Sequence, residues 1–178
     1  MKLKKFLEEH NIEAVLISSK YSLRYFTGFT GTTGIALAFA EKRFFFTDFR
    51  YVTQAKKEVE PNGFTVVKVE RGAVDALAEY IKNSGIKKLG IEDKYVTLAE
   101  YVVYKEKFEG IGFVTLGEAL DKLRMIKTEE EIGYIKKAVE IGDKVFEYIL
   151  DKVKEGAVEK DLAAEMEFQM KKLGGEGP

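Results

Sequence analysis

Apolar residues recur along this chain at two periods, and the switches between them mark out its elements. Leu3, Phe6 and Leu7 keep helical spacing to a stop at Asn11, and residues 14–18 follow as a short unbroken apolar run, the mark of a buried strand. Residues 21–26 are ambiguous by pattern; one reading is a helical turn leading into the glycines of YFTGFTGTTG, which occupies 25–34. Residues 35–40 and 43–47 are apolar runs split by the polar pair Glu41 and Lys42, a hairpin signal. Tyr51, Val52, Ala55 and Val59 then share a helical face, with Asp48 ahead of them as a candidate cap. Strands are predicted at 64–69, 88–92 and 111–115. Between them, Val74, Leu77, Ala78 and Ile81 define a helix that Gly85 can end, and Thr97 with Glu100 is a capping box that opens another through about Phe108. Strands alternating with helices, plus one hairpin, predict an α/β fold over residues 1–120: three layers around a mixed sheet of about six strands.

The pattern changes after Leu116. Thr128 and Glu131 form a second capping box, and Ile132, Ile135, Val139, Phe146, Ile149 and Val153 run along one helical face towards Gly156. Leu162, Met166, Met170 and Leu173 mark another amphipathic helix, closed by Gly174 and Gly175, and the sequence finishes on Glu176, Gly177 and Pro178. Fully burying a Leu, Ile or Val contributes about 1.5–3 kcal/mol, so two such faces without following strands are costly to leave wet. Residues 121–178 therefore read as a linker and the opening of a second domain that is cut short.

Charge and composition narrow the class. The 178 residues carry 29 Lys plus Arg against 30 Asp plus Glu, a formal net charge of -1, which gives no electrostatic footprint for nucleic acid. No apolar run approaches membrane-spanning length, and the opening MKLKKFLEEHNIEAV breaks into charges too soon for a signal peptide. The absence of Cys removes disulfides, thiolate metal sites and a Cys nucleophile, and leaves a cytoplasmic location as the expectation. Abundant Lys and Glu with few Asn and Gln lean towards a heat-adapted (thermophile) source.

The three-residue spacing of Gly28, Gly31 and Gly34 raises the question of a phosphate cradle. A P-loop needs Lys followed by Ser or Thr after its last Gly, at the opening of a helix. Here Gly34 is followed by Ile35, Ala36 and Leu37, which read as strand, and the dinucleotide fingerprint fails on spacing as well. Two readings remain: a tight connection with positive φ at several positions, or a mobile lid or rim beside a substrate site.

Three stretches together carry a resemblance. YFTGF at 25–29, FTDFRY at 46–51 and LRMIKTEEEI at 123–132, in this order and at these separations, resemble the proline-specific metallopeptidases, namely the Xaa-Pro dipeptidases (prolidases) and Xaa-Pro aminopeptidases, with which creatinase shares its architecture. The resemblance covers essentially the whole chain. It implies a creatinase-type N-terminal domain followed by the first two helices of a pita-bread catalytic domain. It also implies a dimeric hydrolase acting on proline-containing peptides with two divalent metal ions, manganese or cobalt, held by Asp, His and Glu residues. Those ligands belong to a segment beyond the second helix, so no catalytic residue or metal ligand transfers to this chain. The residues agree. His10 is the sole His and reads as a solvated surface side chain, while Glu8 with Glu9 and Glu129 to Glu131 sit at adjacent helical positions that point apart. Two departures stand out: Val158 replaces the expected Thr before the last helix, and Phe49 replaces a Gly in the Thr-Asp-Gly-Arg-Tyr pattern.

In dimeric members of that family a loop of one N-terminal domain reaches over the partner's catalytic centre. Residues 28–34 are the best match. The candidate substrate-rim residues are accordingly Arg24, Tyr25, Gly28, Thr30, Thr32 and Thr33, whose hydroxyls and backbone N–H groups would meet the polar ends of a dipeptide. Arg50 joins them as a carboxylate binder, against a plainer reading in which Asp48 caps a helix and pairs with it. Tyr101, Tyr104, Phe44 and Phe46 read as core or domain-interface aromatics. A non-catalytic creatinase-like binding module and a creatinase-type C–N hydrolase remain as alternatives.

Overall fold

The computed structural model describes residues 2–70 and 72–176; Met1, Gly177 and Pro178, the ends of the two expected segments, lie outside them. The chain divides into two compact units, Met1–Met125 and Ile126–Pro178.

In the first unit the apolar runs become six strands: β1 (Ala14–Ile17), β2 (Ile35–Phe39), β3 (Arg43–Thr47), β4 (Thr65–Lys68), β5 (Lys88–Ile91) and β6 (Gly112–Thr115), ordered β4-β3-β2-β1-β5-β6. The hairpin is antiparallel, β1 pairs antiparallel with β2, and the outer pairings β3 with β4, β1 with β5 and β5 with β6 are parallel. Six helices accompany them: α1 (Lys2–Glu9), α2 (Lys20–Thr27), α3 (Val52–Val59), α4 (Ala73–Ser84), α5 (Leu98–Lys107) and α6 (Ala119–Leu123). The period-2 alternation of each strand decides which helices it meets. Val15, Ile17, Ala36, Ala38 and Phe45 face one core with Phe6, Leu23, Ala55, Val59 and Leu120. Ala14, Leu16, Leu37, Phe46 and Leu89 face the other with Leu77, Ile81, Tyr104 and Phe108. The result is the three-layer α/β architecture read from the sequence. Phe46 and Tyr104 are buried, and Phe44 and Tyr101 pack against the same core.

The ambiguous segment is a full helix, α2. Ser19 accepts from the Ser22 amide to open it and Gly28 closes it at φ 79. Helix α6 was not legible, because five residues carry too little periodicity, yet Leu120 is 3% exposed and anchors it to the first core. Asp48 does not cap α3: the position is taken by Tyr51, with no side-chain cap bond.

In the second unit both amphipathic patterns are helices, α7 (Glu129–Leu150) and α8 (Glu159–Lys172). The Thr128–Glu131 box is complete, and Val158 makes no capping bond. Helix α7 stops at Leu150, short of Gly156, where bonds from the Lys152 and Val153 amides to Ile149 and Leu150 tighten the chain into a turn. Its apolar stripe also differs from expectation. Val145 and Ile149 are buried, whereas Ile135, Val139, Phe146 and Val153 are about half exposed or more. Periodicity marked a helix there without fixing which apolar residues are covered or where the helix ends.

Candidate functional site

Strands β1 and β5 are parallel neighbours with Leu16 opposite Ile91, so their C-terminal ends emerge side by side. Ser18 and Ser19 follow one end and Glu92 follows the other. Glu92 is 4% exposed, and its two oxygens accept four hydrogen bonds. Oε2 takes the amides of Ser18 and Ser19 at 2.7 and 2.9 Å, and Oε1 takes the hydroxyls of Ser19 and Ser22 at 2.9 and 2.6 Å. A carboxylate at a helix N-terminus suits the unpaired amides and the dipole there. This knot fixes where α2 starts and which way it runs.

Helix α2 presents Lys20, Tyr21, Arg24 and Tyr25 to a cavity of about 600 Å³. Phe29, Thr30, Gly31, Thr32 and Arg124 complete its lining. The Tyr25 hydroxyl lies 3.5 Å from the Leu123 carbonyl, which ties α2 to α6. Arg124 donates to Asp121 at 2.6 Å, and that bond holds its guanidinium pKa above the ordinary value. Its Nε is buried without a hydrogen-bond partner.

The glycine-rich stretch is clamped on several sides. The Thr30 amide and hydroxyl both donate to Glu58 of α3, at 2.9 and 2.8 Å, and Gln54 Nε2 donates to Thr30 Oγ1 and to Glu58. Burial raises the Glu58 pKa, but these bonds from Thr30 and Gln54 outweigh it and hold the carboxyl below its ordinary value. Asn62 Nδ2 donates to the Thr27 carbonyl, the Thr32 and Tyr51 hydroxyls share a bond of 2.7 Å, and Thr47 Oγ1 donates to the Thr33 carbonyl at 2.6 Å. Of the three glycines only Gly28 has positive φ. The other two are explained by space: a Cβ on Gly31 would strike the rings of Phe29 and Tyr51, and one on Gly34 would strike the ring of Phe45. The expectation of several positive-φ positions is thereby corrected, and a mobile lid does not describe a segment fastened to α3 and β3. The expected free amides are also partly spent, since Gly28 N donates to the Arg24 carbonyl and Phe29 N to Thr27 Oγ1.

Four of the sequence candidates, Arg24, Tyr25, Thr30 and Thr32, meet around this cavity. Gly28 lies at the helix end and Thr33 hands its carbonyl to Thr47, so neither lines it. Arg50 also lies outside the lining. Its Nε and a terminal nitrogen grip Asp48 at 3.0 and 2.7 Å, while its amide donates to the same carboxylate at 2.9 Å. Those bonds explain why Asp48 is unavailable as a cap, and they lower the Asp48 pKa and raise that of Arg50. Lys20, Tyr21 and Arg124 were missed. Lys20 and Tyr21 share the α2 face with Arg24 and Tyr25, a signal the ambiguous helix concealed; nothing local announces Arg124, which arrives from the far end of the unit.

No group of three or more His, Cys, Asp or Glu among the described residues is placed to hold a metal ion. His10 is half-buried rather than solvated, stacked on the Phe6 ring at 4.2 Å between centroids with Nδ1 3.0 Å from the Phe6 carbonyl. The residues present do not fit the two-metal centre the resemblance implies. No helix among the described residues is long and apolar enough to cross a membrane.

A Xaa-Pro dipeptidase of Pyrococcus furiosus is 34% identical over 181 residues, covering 99% of this chain and 49% of the relative. The solved Xaa-Pro dipeptidase from Bacillus anthracis superposes with a TM-score of 0.91 at 36% identity, over 99% of this chain and 49% of that one. The X-Pro aminopeptidase from Thermotoga maritima superposes with a TM-score of 0.87 at 33% identity, over 97% and 50%. The chain thus spans about half the length of the curated relatives it matches. Residues 1–126 match the Creatinase/Prolidase N-terminal domain, and with the six-stranded sheet and its helices in place the chain belongs to that family.

Proposed function

We propose that this chain is the N-terminal part of a proline-specific metallopeptidase that hydrolyses Xaa-Pro peptide bonds, and that it serves there as dimerisation scaffold and substrate rim. The observation that carries the reading is the extent of the likeness, which runs through both units at a TM-score of 0.91 to a Xaa-Pro dipeptidase. Residues 121–178 are then the linker and first helices of the catalytic domain. Phe146 and Phe168, each 59% exposed, mark apolar surface for the rest of that domain to cover. The intact protein is a cytoplasmic homodimer acting on proline-containing peptides with two divalent ions, manganese or cobalt, bound by residues outside this chain.

The test is hydrolysis of a Xaa-Pro dipeptide with manganese, by this polypeptide and by a form extended through the residues that follow it. Turnover is expected only from the extended form. Turnover by this polypeptide alone overturns the reading, and an extended form that binds peptide without cleaving it makes the protein a binding module. The rim role has its own check. Deleting residues 30–33 from the extended form should raise KM or lower kcat with metal content intact, and unchanged kinetics would remove the rim.

A further inference from the structure

We propose that Asn62 is a deamidation site: its side-chain amide closes on the Gly63 nitrogen to a succinimide, and the acid that follows unties the end of α2 from α3. What that does to substrate handling rests on the rim reading; the reaction and the untying are testable without it.

The sequence supplies the reacting pair. Of the three Asn in the chain, Asn11 precedes the β-branched Ile12, Asn83 precedes Ser84, and Asn62 alone precedes a Gly. Ring closure brings the following nitrogen onto the side-chain carbon. A following side chain obstructs that approach, and Gly63 has none. The Gly63 nitrogen bonds to Asn62 Cγ, the Cγ–Nδ2 bond breaks, and Nδ2 leaves as ammonia with the proton from Gly63 N. Water then opens the five-membered imide at either carbonyl, which gives an aspartyl or an isoaspartyl residue. Asn62 and Gly63 are both exposed, so water and base reach the turn.

The fold supplies restraint. Glu60–Asn62 is a single 3-10 turn closed by Gly63 at φ 81, whose amide donates to the Glu60 carbonyl at 2.9 Å. Asn62 Nδ2 donates to the Thr27 and Glu58 carbonyls at 3.0 and 3.1 Å. Nucleophile and leaving group are each held, so closure waits on opening of the turn, and the folded chain reacts more slowly than the unfolded one.

The same contacts fix the consequence. Thr27 is the last residue of α2, and its carbonyl is tied to the chain just beyond α3 by Asn62 alone among the printed side-chain bonds. Gly28 packs so closely on that amide that a Cβ there would lie 2.7 Å from Nδ2. A carboxylate in its place donates to neither carbonyl, and it adds a negative charge four residues from Glu58. Arg43 Nη1, 3.4 Å from the Asn62 carbonyl, offsets charge without restoring a donor to Thr27.

The experiment ages this polypeptide at mildly alkaline pH, folded and in urea, and maps the amide-to-acid mass gain and isoaspartate peptide by peptide. Asn62 should convert ahead of Asn83 and Asn11, and several-fold faster in urea than in the folded chain. Aged folded protein should develop a fraction that melts a few degrees lower, in step with conversion, and Asn62→Asp made directly should melt lower too. Asn62→Ser cannot form the imide and should show no change with time. If Asn62→Asp fails to fold, aged native sequence against aged Asn62→Ser carries the comparison. Conversion no faster than at Asn83 overturns the site, equal rates folded and in urea overturn the restraint, and a converted fraction that melts like the unconverted protein overturns the untying. A lowered melting temperature with unchanged KM and kcat in the converted extended form supports the site and removes only the rim.

Discussion

Replacing Glu92 tests whether one buried carboxylate organises the C-terminal edge of the sheet. Its oxygens accept from two backbone amides and two hydroxyls at 2.6–2.9 Å, with the side chain 4% exposed. In Glu92→Leu all four donors lose their acceptor inside the fold. At about 1 kcal/mol net for each bond the cost sums to about 4 kcal/mol, and residual solvation of the Ser18 end, which is half-buried, pulls it towards about 3. Glu92→Gln is gentler. Its carbonyl can sit where Oε2 accepts from the two amides, and its NH₂ can donate to the hydroxyls of Ser19 and Ser22, which rotate to accept. Only the charge is lost, so about 1–2 kcal/mol is expected. Urea denaturation followed by circular dichroism reads both values, and the Leu variant should melt on the order of 10 °C lower. The reasoning fails if Leu costs less than about 1 kcal/mol, or if Gln and Leu cost the same. The first result would mean that Ser18 and Ser19 find other acceptors, and the second that charge alone matters.

Three smaller perturbations probe the loop and the last helix. The folded pKa of Glu58 is depressed, so its stabilising effect is complete above the unfolded carboxyl value of about 4.3 and is lost as pH falls through the lower folded value; stability measured against pH should drop on that acid side, and Glu58→Gln should flatten the drop. Gly34→Ala drives a methyl into the Phe45 ring and should cost about 1–3 kcal/mol in urea denaturation, whereas an unchanged midpoint would show that the ring steps aside freely. Val158→Thr gives α8 the capping oxygen it lacks at a position already extended (φ -95, ψ 124) and should add about 1 kcal/mol, seen as increased helicity and a higher melting temperature.

What the sequence made legible was whatever depends on near neighbours. The strands, the hairpin and both capping boxes are written in residues two to four apart, and their alternation fixed the three-layer α/β class. The site was legible only on its own segment. Arg24, Tyr25, Thr30 and Thr32 were within reach because they lie together in the chain, but the clamps on them come from Gln54, Glu58 and Tyr51, and the third cation comes from Arg124. Asp48 misled because a carboxylate ahead of a helix has two possible partners, and Arg50, two residues on, offers an amide and a guanidinium together. Gly31 and Gly34 misled differently. Spacing suggests torsional freedom, whereas the reason for their lack of a side chain is three aromatic rings, Phe29 from the same stretch and Phe45 and Tyr51 from further along the chain.

The same long-range contacts bear on how a rim of this kind can work. Fixing one residue of a flexible segment costs about 1–2 kcal/mol, so a loose rim that ordered around each substrate would lose several kcal/mol of affinity at every binding event. Here that cost falls on folding. Thr30 is held by Glu58 and Gln54, Thr32 by Tyr51, Thr33 by Thr47, and Gly31 and Gly34 are wedged against rings. A ligand entering the cavity meets a wall whose backbone is already in place, with adjustment left to the exposed side chains of Lys20, Tyr21 and Arg24.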